Sequence, residues 1–196
     1  MTSPLRLLIA SADPLFAEHI CTCFAGGHQV MGVAADARTM NTLSRDLTPD
    51  VIVSDDRLPG SDEGVPVGCQ NGAHPAPVIL IGQGRDAEPT DWAGHPVFCY
   101  LVEPVGPKDL YPAARLAVIR FAELEALHLE SELLRTALHD RKLIERAKGI
   151  IMREANLCED EAFRRLQAMA RASSRKLVEI AMSILTAEEA CHPTGH

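Results

Sequence analysis

Five short apolar runs punctuate the first hundred residues: Leu5-Arg6-Leu7-Leu8-Ile9-Ala10, His28–Ala34, Val51-Ile52-Val53, Val78–Ile81 and Val97–Val102. Each is too short for a stable helix, and most are apolar at consecutive positions rather than alternate ones. That pattern predicts strands buried on both faces. Between the runs the period lengthens. Pro14 opens an amphipathic stretch to Phe24, which Gly26-Gly27 ends, and Ala37–Asp46 reads as a second helix. Alternation of strand and helix predicts a parallel sheet covered on both sides, a doubly wound α/β unit. In such a unit the functional crevice lies beyond the carboxyl ends of the strands. Those ends carry Ser11-Ala12-Asp13, Asp55-Asp56, Gly82 and Glu103-Pro104.

From Lys108 the pattern changes to one long helix. Pro107 marks its start, Pro112 is expected within its first turn, and neither Pro nor Gly recurs before Gly149. Leu124, Leu127, Leu134 and Leu138 fall at coiled-coil spacing, interrupted by Ser131 and Arg141 at seam positions. A helix this long needs a partner surface. Parallel dimerisation is the expectation, and packing of the stripe back on the α/β unit is the alternative. Ile144, Ala147, Ile150 and Ile151 line one face of the helix, and Asn156 suits its end. A second helix starts at Glu159-Asp160-Glu161, with Cys158 in the N-cap place and Ala162, Leu166 and Met169 inward. A third starts at Ser173 or Ser174 and buries Leu177, Ile180, Ala181, Ile184 and Leu185. The organisation expected is residues 1–107 for the α/β unit, 108–140 for the coiled-coil helix, 141–187 for a three-helix head, and 188–196 for a disordered tail.

Composition changes this picture in one place. The chain carries a net charge of −8, but residues 141–185 hold ten Lys/Arg against six Asp/Glu. The head is therefore +4 and the rest −12. A basic head on an acidic body suits polyanion binding, although a solvated basic surface gives the same count. Apolar residues reach 46% and aromatics 4%, so the core is aliphatic. No apolar run is long enough for a membrane span, and no signal peptide opens the chain. The six Cys form no CxxC pair and the eight His show no ligand spacing. A cytoplasmic protein with free thiols and no metal site or cofactor is expected.

PDVIVSDDRLPGSDEG, from Pro49 to Gly64, resembles the third strand and following loop of response-regulator receiver domains, and YLVEP, Tyr100–Pro104, resembles the motif closing their fifth strand. The resemblance implies a five-stranded receiver (flavodoxin-like) sheet with Asp55 in the phospho-acceptor place. The departures are as specific. Ser11 and Ala12, with only Asp13 beside them, stand where receivers cluster acids for Mg²⁺. Gly82 replaces a hydroxyl residue, and Glu103 replaces a lysine. A carboxylate at that place repels a phosphoryl group of roughly −1.5 to −2 charge. A degenerate receiver working without phosphoryl transfer is expected. A weak Mg²⁺ site built from Asp13, Asp55 and Asp56 is the rival.

Ala147-Lys148-Gly149-Ile150-Ile151-Met152, Glu161-Ala162-Phe163, Leu166, Met169-Ala170 and Lys176-Leu177-Val178-Glu179-Ile180-Ala181 resemble the ANTAR domain, the antitermination module named for the AmiR and NasR regulators. The order of receiver, long helix and ANTAR head is similar to the NasT- and AmiR-type members. The resemblance implies a transcription antiterminator that binds paired stem-loops in leader mRNA and keeps a terminator hairpin from forming. Candidate RNA contacts are Lys148 first, then Arg146, Arg153, Phe163, Arg164, Arg165, Arg171, Arg175 and Lys176. Phe163 reads equally as core, and Met152 more readily as core. A homodimer and a ligand-sensing partner protein complete the expectation, with no membrane, no DNA and no enzymatic activity. The alternatives are a DNA-binding response regulator, a conventional regulator phosphorylated at Asp55, and an interaction protein that touches no nucleic acid.

Overall fold

The computed structural model describes residues 3–61, 76–84 and 96–191. It divides into two compact units, Met1–Ala126 and Leu127–His196, and the division falls inside one continuous helix.

The first unit contains strands β1 (Arg6–Ala10), β2 (Gln29–Ala34), β3 (Val51–Asp55), β4 (Val78–Gly82) and β5 (Val97–Val102). All pairings are parallel, in the order β2-β1-β3-β4-β5. Helices α1 (Pro14–Phe24) and α2 (Ala37–Leu47) cover opposite faces. The strands sort their side chains by parity. Leu7, Ile9, Val51, Val53, Ile79 and Ile81 pack with Phe16, Ile20 and Phe24 of α1. Leu8, Ala10, Ile52, Val78 and Leu80 pack with Met40 of α2. Each fully buried branched side chain contributes about 1.5–3 kcal/mol, which is why consecutive apolar positions make strands here. Capping sets the helix starts. Asp13 accepts from the Leu15 N–H, and Asp36 accepts from the Thr39 N–H and hydroxyl.

Helix α3 runs from Pro107 to Ala155. The Asp109 carboxylate closes its first turn by accepting from the Gly106 N–H. Its opening turns belong to the first unit's core, since Leu110, Ala114 and Ala117 are buried there. That core therefore reaches past the expected limit at residue 107. Pro112 lies in the second turn rather than the first, so the helix forgoes one backbone hydrogen bond.

In the second unit the end of α3 packs with α4 (Glu159–Ser173) and α5 (Leu177–Cys191) around Ile151, Ala162, Leu166 and Ile180. Ala147, Ile150, Ala181 and Leu185 form a second cluster. Asn156 ends α3 at φ 51° while the Leu157 N–H donates to the Met152 carbonyl. Two expectations need correction. Neither Ser173 nor Ser174 starts α5: Ser173 is the last residue of α4, and Ser174 follows it as the cap. It ends α4 at φ 52°, and the Arg175 N–H donates back to the Ala170 carbonyl. The chain from Glu188 to Cys191 is helical rather than a disordered tail, because Glu188 is held by an ion pair with Arg153. Residues 192–196 lie outside the described residues, as does most of the loop from Ser61 to Ala76.

Candidate nucleic-acid interface and receiver pocket

At the carboxyl edge of the sheet, Asp55 closes β3 and is buried. The Ser11 hydroxyl donates to its Oδ2 at 3.0 Å, so the residue standing in the lost acidic cluster supports the carboxylate directly. The Arg57 backbone N–H and its Nε both donate to Oδ1, at 2.9 and 3.2 Å. The same guanidinium lies 3.7 Å from Asp56. The hydrogen bond to Asp55 comes first in holding Arg57 above its ordinary pKa, and the charges of Asp55, Asp56 and Glu103 add to it. Arg57 is thus the pocket's own cation. A lysine at position 103 would face it with like charge, whereas Glu103 complements it. The cation has moved from the end of β5 to the loop after β3.

Gly82 has an equally concrete reason. A Cβ there would stand 1.9 Å from the Asp56 Oδ2 and 2.4 Å from the Tyr100 hydroxyl. The Tyr100 hydroxyl donates to that Asp56 oxygen at 3.1 Å. The space a β4 hydroxyl residue would use is filled by the Asp56–Tyr100 pair. Asp13 meanwhile caps α1. Among the described residues no three acidic, His or Cys side chains stand together as a metal site. Asp55 Oδ1 accepts from Arg57, Asp56 Oδ2 accepts from Tyr100 and Asp13 caps α1, whereas Asp56 Oδ1 is buried without a hydrogen-bond partner, 3.7 Å from the Arg57 Nε. Sequence reasoning missed Arg57 and Tyr100. The available signal was an arginine two places after Asp55, beside the substituted lysine.

In the second unit the expected RNA contacts separate into two sets. Lys148 is only 8% exposed. Its Nζ sits 2.5 Å from Glu145 and 2.8 Å from Glu159, which joins α3 to the start of α4. Glu145, then Glu159, raise its pKa, and the Lys148 hydrogen bond lowers that of Glu159. Arg153 is committed to Glu188, and Arg175 to Glu179 and Ser183. Arg146 is exposed on α3. Arg164, Arg165, Arg171 and Lys176 are exposed, and among the described residues they make no ion pair. Phe163 is 37% exposed and belongs to neither apolar cluster, whereas Met152 packs against the first. Only Ala162, Leu166 and Ala170 of α4 are buried, so the helix presents most of its circumference to solvent. The N-terminus of α4 is closed by Glu161, which accepts from the Cys158 N–H at 3.1 Å and whose pKa falls for that reason first. A tight turn links α4 to α5 through Ser174 in the left-handed conformation. Even so, Leu177–Cys191 contains no Lys or Arg, which ill suits a groove-reading helix.

On α3, Leu124, Leu127, Leu134 and Leu138 are all exposed. Leu129 and Leu133, outside that seam, are exposed as well. No helix among the described residues is long and apolar enough to cross a membrane.

A family model described as the ANTAR domain matches residues 132–185. The transcriptional regulatory protein PdtaR of Mycobacterium tuberculosis is 30% identical over 93% of this chain and 91% of its own length. A nitrate regulatory protein of Klebsiella oxytoca is 33% identical over 57% of this chain and 26% of that protein. The first unit is similar in fold to the signal receiver domain of a modulated diguanylate cyclase from Desulfovibrio desulfuricans G20, with a TM-score of 0.54 and 26% identity over 63% of this chain and 99% of that one. The receiver domain of the putative response regulator NarL from Mycobacterium tuberculosis gives a TM-score of 0.51 at 22% identity, over 60% and 98% of the two chains.

Proposed function

Because the chain belongs to the family of ANTAR-domain transcriptional regulators that includes PdtaR, we propose that it is an antiterminator whose head binds paired stem-loops in nascent leader mRNA. The observation that carries this reading is the outer surface of α4. Its exposed circumference carries an aromatic ring, Phe163, and the guanidinium groups of Arg164, Arg165 and Arg171, none of which forms a salt bridge among the described residues, although the charge of Arg164 helps to lower the Glu161 pKa. Unpaired loop bases stack on flat side chains, and guanidinium groups hold the phosphates around them. Lys148 has a different part. It clamps α3 to α4 through Glu145 and Glu159, and so sets the angle at which that surface is offered.

Two stem-loops call for two heads. The exposed leucines of α3 supply the seam of a parallel homodimer, which delivers one head to each loop. The receiver then works without phosphoryl transfer. Arg57 already neutralises Asp55, and Glu103 opposes a second anion. Control passes to a ligand-sensing partner protein that binds one conformational state of the regulator and releases it when its own ligand arrives.

Filter binding of the full chain at matched salt tests the central claim. The probes are a two-hairpin leader RNA, an unstructured RNA and duplex DNA. The hairpin RNA is expected to bind most tightly, with affinity falling steeply as salt rises. Equal retention of duplex DNA would overturn the reading.

A further inference from the structure

Helix α3 carries a second apolar stripe besides the leucine seam. Ile119, Ala122, Ala126, Leu129 and Leu133 recur at alternating spacings of three and four residues, and each is exposed. Each follows a seam position by two residues: Ala126 follows Leu124, Leu129 follows Leu127, and Leu133 follows Ser131. At 100° a residue, that is about 200° round the helix. The two stripes therefore face opposite ways, and a dimer closed through the seam leaves the second stripe outside. We infer that this outer stripe is the docking surface for a basic amphipathic helix of another protein. The inference rests on the seam dimer of the reading above and names the surface by which its controlling partner attaches.

The charges along the edges choose the occupant. Glu125 and Glu132 border the outer stripe on one side, and Glu123 and Glu130 on the other. From Phe121 to Leu134 the chain contains no Lys or Arg. Arg120 and Arg135, just beyond those limits, pair with Glu123 and Glu132 in exposed turns, while Glu125 and Glu130 make no ion pair among the described residues. A second copy laid on this stripe would set glutamates against glutamates.

The seam differs. Glu123 and Glu130 lie along one of its edges, and His128 and Arg135 along the other. In a parallel pair Glu123 meets His128 of the second copy, and Glu130 meets Arg135 of the second copy. Self-association thus belongs to the seam. RNA and anionic membranes are repelled from the outer stripe by its glutamates. A helix with an aliphatic face and Lys or Arg along both edges satisfies the leucines and the glutamates together. From Ile119 to Leu133 the stripe runs about 21 Å, so the partner helix needs roughly four turns.

The test uses the full chain and fluorescence anisotropy with three labelled synthetic helices of about four turns. The first has a leucine stripe with lysine edges. The second has the same stripe with glutamate edges, and the third has lysine edges with serine in place of leucine. The first is expected to bind more tightly than the others. Leu129→Gln with Leu133→Gln keeps helix propensity and should lower its affinity by about 100-fold, tenfold for each leucine. Glu125→Gln with Glu132→Gln should lower it roughly 2- to 30-fold at low salt and little at high salt. Both variants should keep the wild-type mass in light scattering and the wild-type retention of hairpin RNA. No binding of the first helix, or equal binding to wild type and both variants, overturns the docking surface and leaves the dimer and RNA binding standing. Equal binding of the glutamate-edged helix overturns the basic partner. A fall in mass for Leu129→Gln with Leu133→Gln makes the stripe a contact between copies and overturns the inference. An unchanged mass for Leu127→Lys with Leu134→Lys overturns the seam dimer on which it rests.

Discussion

Replacing Phe163 by alanine separates recognition from folding on a single helix. The ring is 37% exposed and lies outside both apolar clusters of the head. About two thirds of it is covered, so at 1.5–3 kcal/mol for full burial the truncation costs at most roughly 1–2 kcal/mol of stability. Stacking of a loop base on the same ring is worth about 1–3 kcal/mol, a 5- to 150-fold loss of affinity. Leu166, three residues further along α4, supplies the control. It is fully buried in the first cluster, so Leu166→Ala should cost about 2–5 kcal/mol. That approaches the whole stability of a unit this small. Fluorescence anisotropy with hairpin RNA and far-ultraviolet melting of the full chain read the two quantities separately. Phe163→Ala should bind weakly at a temperature where its helical signal matches the wild type, whereas Leu166→Ala should lose helix and binding together. The reasoning is refuted if folded Phe163→Ala binds like the wild type, or if it melts as early as Leu166→Ala.

Four further outcomes follow from the geometry. Replacing Leu127 and Leu134 together by lysine should lower the mass measured by light scattering toward that of one chain; an unchanged mass removes the dimer seam. Incubation with acetyl phosphate and Mg²⁺ should add no mass at Asp55, and Asp55→Asn should leave RNA affinity unaltered; a phosphorylated, tighter-binding protein would reverse the account of Arg57. Gly82→Thr should destabilise the first unit by about 1–3 kcal/mol in denaturant unfolding, because its Cβ meets the Asp56–Tyr100 pair; wild-type stability would show that the space is free. The Lys148–Glu159 bridge gives the head a pH signature. Glu159 titrates below its ordinary 4.5 when folded, so its contribution is present above that value and lost as pH falls through the lower folded one. Lys148 titrates above its ordinary 10.5, so its contribution is present below that value and lost as pH rises through the higher folded one. Glu159→Gln should flatten the acid limb of the head's melting temperature, and coincident pH profiles would exclude the bridge.

The legible parts of this protein were those written in adjacent residues. Runs such as Val78–Ile81 and breakers such as Pro14 and Asn156 specify strands, helix starts and helix ends, because backbone sterics and local burial act within a turn. The ANTAR spacing and the order of modules could be read in the same way. Ser174 was misread because a serine suits either end of a helix, and only the return of Arg175 to Ala170 shows which end it serves.

Partnership at a distance is what the tertiary structure alone decided. In sequence, Lys148 is one more basic residue of a basic head. In space, Glu159 of the next helix claims it, and the exposed positive charge passes to α4. Position 82 reads as a lost hydroxyl until Asp56 and Tyr100 are seen occupying its place. Glu103 reads as a defect until Arg57, in the loop after β3, is seen supplying a cation beside it. The physical reason is the same in each case. A local pattern determines which backbone forms, whereas the charge and access of a side chain depend on groups that only folding brings within a few ångströms.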